Sequence, residues 1–372
     1  MDMGKRYLIS GGGTGGHIFP ALAIANKIKS EQPDAEFLFI GANDKMEMQR
    51  VPEAGYDIKG LTIYGISRDR SLKALGRNLK LPFVLLKAMR EVKNYIREFK
   101  PDIAIGVGGF ASGPALKAAA SLGVPTLLQE QNSYPGVTNK MLAPKAKKIC
   151  VAYDGLEKYF PADKIVKTGN PVRAEILHIE NKNPKAYEYF NFVPDKKLVL
   201  VVGGSLGART LNETMAAHLD DFRKAGVQLL WQTGEQFYRN IDSKLLAEQD
   251  EYIRIVPFIK NMNDAYSIAD VIVSRAGALA ISELSIVGKP VILVPFPYAA
   301  EDHQTFNAKA LSTKNAAILI PDGEAKEKLY PALMELIQDD ARCADMSKNI
   351  LQFAKPEAIQ SIYEEIEGVI GC

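Results

Sequence analysis

The stretch Ser10-Gly11-Gly12-Gly13-Thr14-Gly15-Gly16-His17 follows the apolar run Tyr7-Leu8-Ile9 and precedes Pro20-Ala21-Leu22-Ala23-Ile24-Ala25. The order is strand, glycine loop, helix N-terminus. Glycines let the backbone turn tightly and bring its N–H groups near a ligand, and the helix dipole behind them favours an anion by about 0.3–1 kcal/mol. A tight turn without a ligand is the competing reading. The next apolar run, Glu36-Phe37-Leu38-Phe39-Ile40-Gly41, completes a βαβ unit. Gly11, Gly13 and Gly16 satisfy G-x-G-x-x-G, yet Gly41-Ala42-Asn43 stands where a dehydrogenase places the acidic residue for its ribose. That argues against a dinucleotide.

At 372 residues, 47% hydrophobic and 24% charged, the chain is long enough for two domains. A formal net charge of +2 gives no general reason to bind nucleic acid. Cys150, Cys343 and Cys372 are widely separated, which predicts reduced thiols in the cytoplasm and no metal-ligand spacing. No secretory leader and no run of about 18 apolar residues is expected, so the protein is read as neither secreted nor membrane-spanning.

Residues 68–100 differ in character. Ten basic residues, among them Lys73, Arg77 and Lys80, stand against Asp69, Glu91 and Glu98, and are interleaved with Leu72, Leu75, Leu79 and Phe83. Two readings remain open: a patch on an anionic membrane surface, or a core helix with a solvated basic face. Pro82 is expected to interrupt or start a helix there.

Further on, Ile103-Ala104-Ile105-Gly106 runs into Val107-Gly108-Gly109-Phe110, and Thr126-Leu127-Leu128 ends in Gln129-Glu130-Gln131-Asn132. Polar groups just past the carboxyl end of a buried strand are where open α/β sheets bind ligands. The stretch 161–195 carries Gly169-Asn170-Pro171 and Asn183-Pro184 and reads as linker and domain boundary. The plan then restarts: Leu198-Val199-Leu200-Val201-Val202 leads into Gly203-Gly204-Ser205-Leu206-Gly207. Asp102 and Pro125 in the first half have counterparts in Asp270 and Pro290 in the second. Two copies of one doubly wound plan are predicted, facing across a cleft for two substrates.

In the second copy, Ala276-Gly277-Ala278 opens a helix that can receive a diphosphate, and Glu283 can accept two hydrogen bonds from a ribose diol. Ser205 and Arg173 suit phosphate, and the loop 295–308, with Gln304, suits sugar hydroxyls.

Together, Gly-Gly-Gly-Thr-Gly-Gly-His, Gly-Val-Gly-Gly-Phe-Ala-Ser-Gly-Pro, Gln-Glu-Gln-Asn, Gly-Asn-Pro-Val-Arg, Gly-Gly-Ser-Leu-Gly-Ala and Arg-Ala-Gly-Ala-Leu-Ala-Ile-Ser-Glu resemble the MurG family of N-acetylglucosaminyltransferases over about residues 7 to 310. The resemblance implies a GT-B fold with domains at 1–170 and 171–349, the last helix, about 350–372, packing back on the first. It implies UDP-N-acetylglucosamine as donor, undecaprenyl-diphospho-N-acetylmuramoyl-pentapeptide (lipid I) as acceptor, inversion at the anomeric carbon, and peripheral attachment to the cytoplasmic face of the inner membrane. Carried over by motif, donor contacts fall on Thr14, Gly15, Gly16, Asn132, Arg173, Ser205, Ile259, Ala278, Leu279, Ala280, Ile281, Ser282, Glu283 and Gln304. The family's first glutamine of a pair is His303 here, and its frequent tyrosine is Phe110. Gly12, Gly13, Gly108 and Gly109 are expected to hold the acceptor's diphosphate. His17 is either the general base or a phosphate and loop contact. No Asp-x-Asp occurs, so no tightly bound metal is expected. The alternatives are another UDP-sugar enzyme of this fold, a lipid glycosyltransferase or a UDP-N-acetylglucosamine 2-epimerase, and a catalytically silent binder.

Overall fold

A computed structural model of the protein describes residues 4–65, 71–204 and 207–371, without the side chains of 72–78, 80 and 300. Two compact units result: Met1–Val172 with Glu357–Cys372, and Arg173–Pro356.

The first unit is built on seven parallel strands, β1 (Arg6–Ser10), β2 (Glu36–Ala42), β3 (Ile58–Leu61), β4 (Ile103–Gly106), β5 (Thr126–Glu130), β6 (Lys148–Val151) and β7 (Ile165–Lys167), in the order β3-β2-β1-β4-β5-β6-β7. A parallel sheet covered on both faces needs apolar residues at every position, which is why these strands read as continuous runs. Alternate side chains serve different cores. Tyr7, Ile9, Ile103, Ile105 and Leu127 pack with Ile24 and Ile28 of helix α1 (Gly15–Glu31) and with Ile362 and Ile366 of the C-terminal helix Ala358–Ile370. Leu8, Ile40, Ala104 and Leu128 pack on the opposite face, against Ala88, Val92 and Ile96 of α3 (Leu72–Phe99) and Ala115 and Leu116 of α4 (Ser112–Ser121). Between α1 and α3 lies the short α2 (Glu47–Glu53).

The second unit repeats the plan with β8 (Leu198–Val202), β9 (Gln228–Gln232), β10 (Ile253–Val256), β11 (Val271–Ser274), β12 (Val291–Leu293) and β13 (Ile318–Leu319), ordered β10-β9-β8-β11-β12-β13 and all parallel. The two aspartates picked out by the internal comparison do the same work in each copy. Asp102 accepts the Arg6 N–H at 2.7 Å and returns its own N–H to the Arg6 carbonyl. Asp270 accepts the Leu198 N–H at 2.7 Å and returns its N–H to the Leu198 carbonyl. Pro125 and Pro290 each accept an N–H of the neighbouring strand, from Ala104 and Ile272, both at 2.9 Å. Each pair closes the amino-terminal edge of its sheet, where the backbone would otherwise lack partners.

Three expectations need correcting. Pro82 neither starts nor breaks a helix, because α3 runs through it from Leu72 to Phe99. Pro82 is exposed, so water can serve the carbonyl whose donor is lost, and the packed face at Ala88, Val92 and Ile96 holds the helix in register. The stretch 161–195 does contain the boundary between the units, at Val172 and Arg173, but it is not only a linker. It supplies β7 to the first sheet and the helix Pro184–Phe190, capped by Asn183, to the second unit. Residues from 350 to 356 stay with the second unit, and Leu351 fills the space where a Cβ at Gly288 would lie, so the returning helix begins only at Ala358.

The returning helix is a structural necessity for the first unit. Ile362 and Ile366 are fully buried, and Glu367 bonds the Tyr7 hydroxyl at 2.9 Å and Lys5 at 2.6 Å. Replacing Ile366 by Ala is expected to cost about 2–5 kcal/mol, measured as a lowered midpoint in denaturant unfolding.

Candidate active site

The glycine loop after β1 is built from the inside. A Cβ on Gly11 would overlap Val107, one on Gly12 would overlap the Glu47 carboxylate, and one on Gly109 would run into the Gly12 backbone. These glycines let two strand-end loops and a buried carboxylate touch. Gly13 adopts φ +89° and donates its N–H to Glu47 Oε2 at 2.9 Å. Its amide therefore points inward, and it shapes the expected diphosphate site instead of donating to it. Thr14 is extended and starts α1, its carbonyl accepting from the N–H groups of His17 and Ile18.

His17 lies in the first turn of α1, with Nδ1 3.4 Å from Thr14 Oγ1. Its ring edge occupies the space beside Gly108, where a Cβ would come within 2.9 Å of Nε2. The structure thus brings Gly12, Gly108, Gly109 and His17 together at the carboxyl end of the first sheet. Gly16 is different from its neighbours. Its φ is not positive and an added Cβ would meet nothing nearer than Thr14 Oγ1 at 3.7 Å, so the fold itself does not require a glycine there.

At the end of β5 the polar cluster is a sealed network. Glu130 is buried and accepts from Asn132 N at 3.0 Å, Asn132 Nδ2 at 3.2 Å, Gly136 N at 3.2 Å and Asn139 Nδ2 at 2.9 Å. Burial pushes its carboxyl above the usual range, against the pull of those donors. Asn132 is therefore held by Glu130, and Asn139 carries the tie into α5 (Val137–Leu142).

In the second unit the helix Ala278–Val287 begins at Gly277, where an added Cβ would meet nothing within 4 Å. Glu283 does not stand alone. Arg173 grips it with Nε at 2.9 Å and Nη2 at 3.0 Å, and the Tyr266 hydroxyl approaches at 3.4 Å. Two of the guanidinium donors of Arg173, the residue expected on phosphate, are thus spent on this carboxylate. A carboxylate has about four lone-pair sites, so Glu283 keeps acceptor capacity for a diol. Burial, then the nearby Glu283 charge, pushes the Tyr266 phenol far up, so it stays a donor. Within the expected run, Ile281 is buried and Ser282 bonds the Ala278 carbonyl, so their side chains serve the helix. Gln304 Oε1 accepts the Phe296 N–H at 2.9 Å, which fixes the loop after β12 and leaves its amide hydrogens to donate. His303 and Gln304 open the helix His303–Ser312, behind two non-glycine residues of positive φ, Glu301 and Asp302. Ser205 and Arg68 to Arg70 lie outside the described residues, as do the side chains of Leu72, Lys73, Leu75, Arg77 and Lys80.

Residues 7–151 match the glycosyltransferase family 28 N-terminal domain, and residues 198–362 match the glycosyltransferase family 28 C-terminal domain. The chain belongs to the MurG group of glycosyltransferase family 28. It is 53% identical over 365 residues to a Parabacteroides distasonis protein named UDP-N-acetylglucosamine--N-acetylmuramyl-(pentapeptide) pyrophosphoryl-undecaprenol N-acetylglucosamine transferase, covering 98% of each chain. A Cytophaga hutchinsonii protein of the same name is 52% identical, over 98% of this chain and 97% of that one. Among solved structures, Acinetobacter baumannii MurG superposes with a TM-score of 0.79 at 31% identity, over 98% of this chain and 99% of that one. A Neisseria meningitidis UDP-GlcNAc 2-epimerase shares the fold alone, with a TM-score of 0.66 at 14% identity, over 98% of this chain and 100% of that one.

In this family 28 glycosyltransferase, several site-building residues left no mark in the sequence. Gln232, at the end of β9, accepts the Ile259 N–H at 2.9 Å and donates to the Gly204 carbonyl at 3.2 Å, joining two loops expected to carry donor contacts. The Ile259 N–H is thus already spent, and its carbonyl is the group left for a base. Arg275 pairs with Asp322 at 2.5 Å and bonds the Val294 and Pro295 carbonyls, bracing the loop after β12. Only a Gln at a strand end and an Arg two positions before a glycine could have signalled them, and both patterns are common.

Gly16 supplies a test that separates ligand from fold. The substitution Gly16→Ala is expected to raise stability by up to about 1 kcal/mol in thermal unfolding while lowering kcat/KM at least about tenfold.

Proposed function

We propose that this family 28 enzyme transfers N-acetylglucosamine from UDP-N-acetylglucosamine to the 4-hydroxyl of the muramoyl sugar of lipid I, yielding lipid II for peptidoglycan. The observation that carries this reading is the 53% identity, along 98% of both chains, to a relative named for that transfer. The site residues support it: a glycine-rich helix start in each unit for diphosphates, and a carboxylate braced for a diol at Glu283.

The reaction is a direct displacement. The muramoyl 4-oxygen forms a bond to the anomeric carbon as the bond from that carbon to the UDP oxygen breaks, inverting its configuration, and the hydroxyl proton leaves to a base. His17 is the proposed base. Its place in the first turn of α1, beside Gly108, supports a position near the acceptor's diphosphate. A positioned base contributes about 100- to 10,000-fold, so His17→Ala should slow the single-turnover chemical step by at least about 100-fold with donor bound. An unchanged step would leave His17 as a phosphate or loop contact. Labelled UDP-N-acetylglucosamine and a soluble lipid I analogue make the decisive assay for the function. Epimerised or hydrolysed donor without a disaccharide product would overturn it.

The acceptor's lipid implies work at the cytoplasmic membrane surface. Among the described residues no helix is long and apolar enough to cross a membrane. On α3, Leu79 and Phe83 are 70% and 75% exposed, Leu86 joins them, and all three lie opposite the buried Ala88, Val92 and Ile96. The apolar stripe on a basic stretch supports the surface reading over the solvated-face reading. Replacing Leu79 and Phe83 together by Ser is expected to weaken sedimentation with anionic vesicles at least about tenfold, since each apolar side chain contributes about 1.5–3 kcal/mol on burial. Wild-type binding by the double variant would remove the stripe from the interface.

A further inference from the structure

Glu47 opens α2, immediately after the loop that ends β2, and a charged residue there would ordinarily sit in water. Instead it is 1% exposed. Oε1 accepts the Ala42 N–H at 3.0 Å and Oε2 accepts the Gly13 N–H at 2.9 Å, so a single carboxylate ties the end of β2 to the glycine loop after β1. Among the described residues it makes no ion pair. Two glycines exist to admit it: a Cβ on Gly12 would overlap its carboxylate, and one on Gly41 would come within 2.6 Å of its Cγ. The chain has cleared space for this group at two positions about thirty residues apart in sequence.

We propose that Glu47 is a positioning residue for the acceptor half of the reaction: by holding the Gly13 N–H inward it sets the conformation in which the glycine loop, packed on Gly109, meets the acceptor's diphosphate. The inference rests on the functional reading above. Gly13 takes a left-handed conformation, and the bond to Glu47 is what fixes it there. Gly12, next to it, packs directly on Gly109 of the neighbouring loop, so the conformation of Gly13 sets how these two acceptor-side positions meet, ahead of the helix start at Gly15.

Electrostatics and positioning predict opposite signs here, which makes the role testable. A carboxylate below an anion site repels the anion, so its charge alone weakens binding and its removal should tighten it. As a positioning group, its removal should loosen binding. Glu47→Gln is nearly isosteric, but one end of the amide is a donor and cannot accept from either backbone N–H. In the full chain, Glu47→Gln is expected to raise KM for a soluble lipid I analogue by about tenfold, to leave KM for UDP-N-acetylglucosamine within about twofold, and to speed hydrogen exchange at the Gly13 amide. Glu47→Asp keeps the charge yet is one methylene too short to span both donors, and should show the same KM pattern. An unchanged or lowered acceptor KM in either variant would overturn the proposal, as would an equal loss toward both substrates. Wild-type enzyme is assayed first. If it forms no disaccharide product the functional reading falls, and Glu47 is then judged by calorimetry with inorganic diphosphate, where weaker binding by Glu47→Gln supports the positioning role and equal or tighter binding refutes it.

Discussion

Every strand of a parallel sheet presents backbone N–H and C=O groups at both ends that the sheet itself cannot pair, and burying them unpaired costs about 1–3 kcal/mol each. This protein meets that constraint with side chains from elsewhere in the chain. Asp102 and Asp270 close the amino-terminal edges of the two sheets with the same pair of bonds. Glu47 and Glu130 in the first unit and Gln232 in the second do so at the carboxyl-terminal edges. The carboxyl-terminal edges are also where ligands bind in folds of this kind. The groups that satisfy the fold and the groups that shape the site are therefore the same groups.

Much of this was legible in the sequence, and the reason is periodicity. Strands such as Leu198–Val202 are covered on both faces and read as unbroken apolar runs, and the glycine loops follow them at once. The duplicated plan was visible in Asp102 and Asp270 because an edge-closing aspartate must stand at a fixed place before its strand. Glu47, Gln232 and the Arg275–Asp322 pair were not legible. Each acts on a partner brought near only by folding: Glu47 on Gly13, Gln232 on Ile259, Arg275 on a residue 47 positions away. Arg173 was noticed, but its pairing with Glu283, 110 positions on, could not be read from either neighbourhood.

The glycine motif carries a related lesson. Read as a string, Gly11 to Gly16 is a cradle in which every glycine serves the ligand. In the folded chain the requirement divides. Gly11, Gly12 and Gly109 give way to Val107, Glu47 and the Gly12 backbone, Gly13 supplies a left-handed turn, Gly15 makes room for the Phe19 ring, and Gly16 is left without an internal reason. A residue type that looks redundant in sequence is doing different physical tasks at adjacent positions.

The returning helix Ala358–Ile370 has a consequence for how the chain is made. The second unit, Arg173–Pro356, is contiguous, so on the ribosome it has all its strands before that helix emerges. The first unit is not contiguous, and needs that helix from the far end of the chain. Its sheet is synthesised first and α1 covers part of the face that carries Tyr7, Ile9 and Ile105, but the rest stays uncovered until Ile362 and Ile366 arrive. Domains ordinarily fold in the order of synthesis. Here the order is inverted for completion: the half made first is the last to close its core, and until then part of an apolar sheet face is open to chaperones and to aggregation.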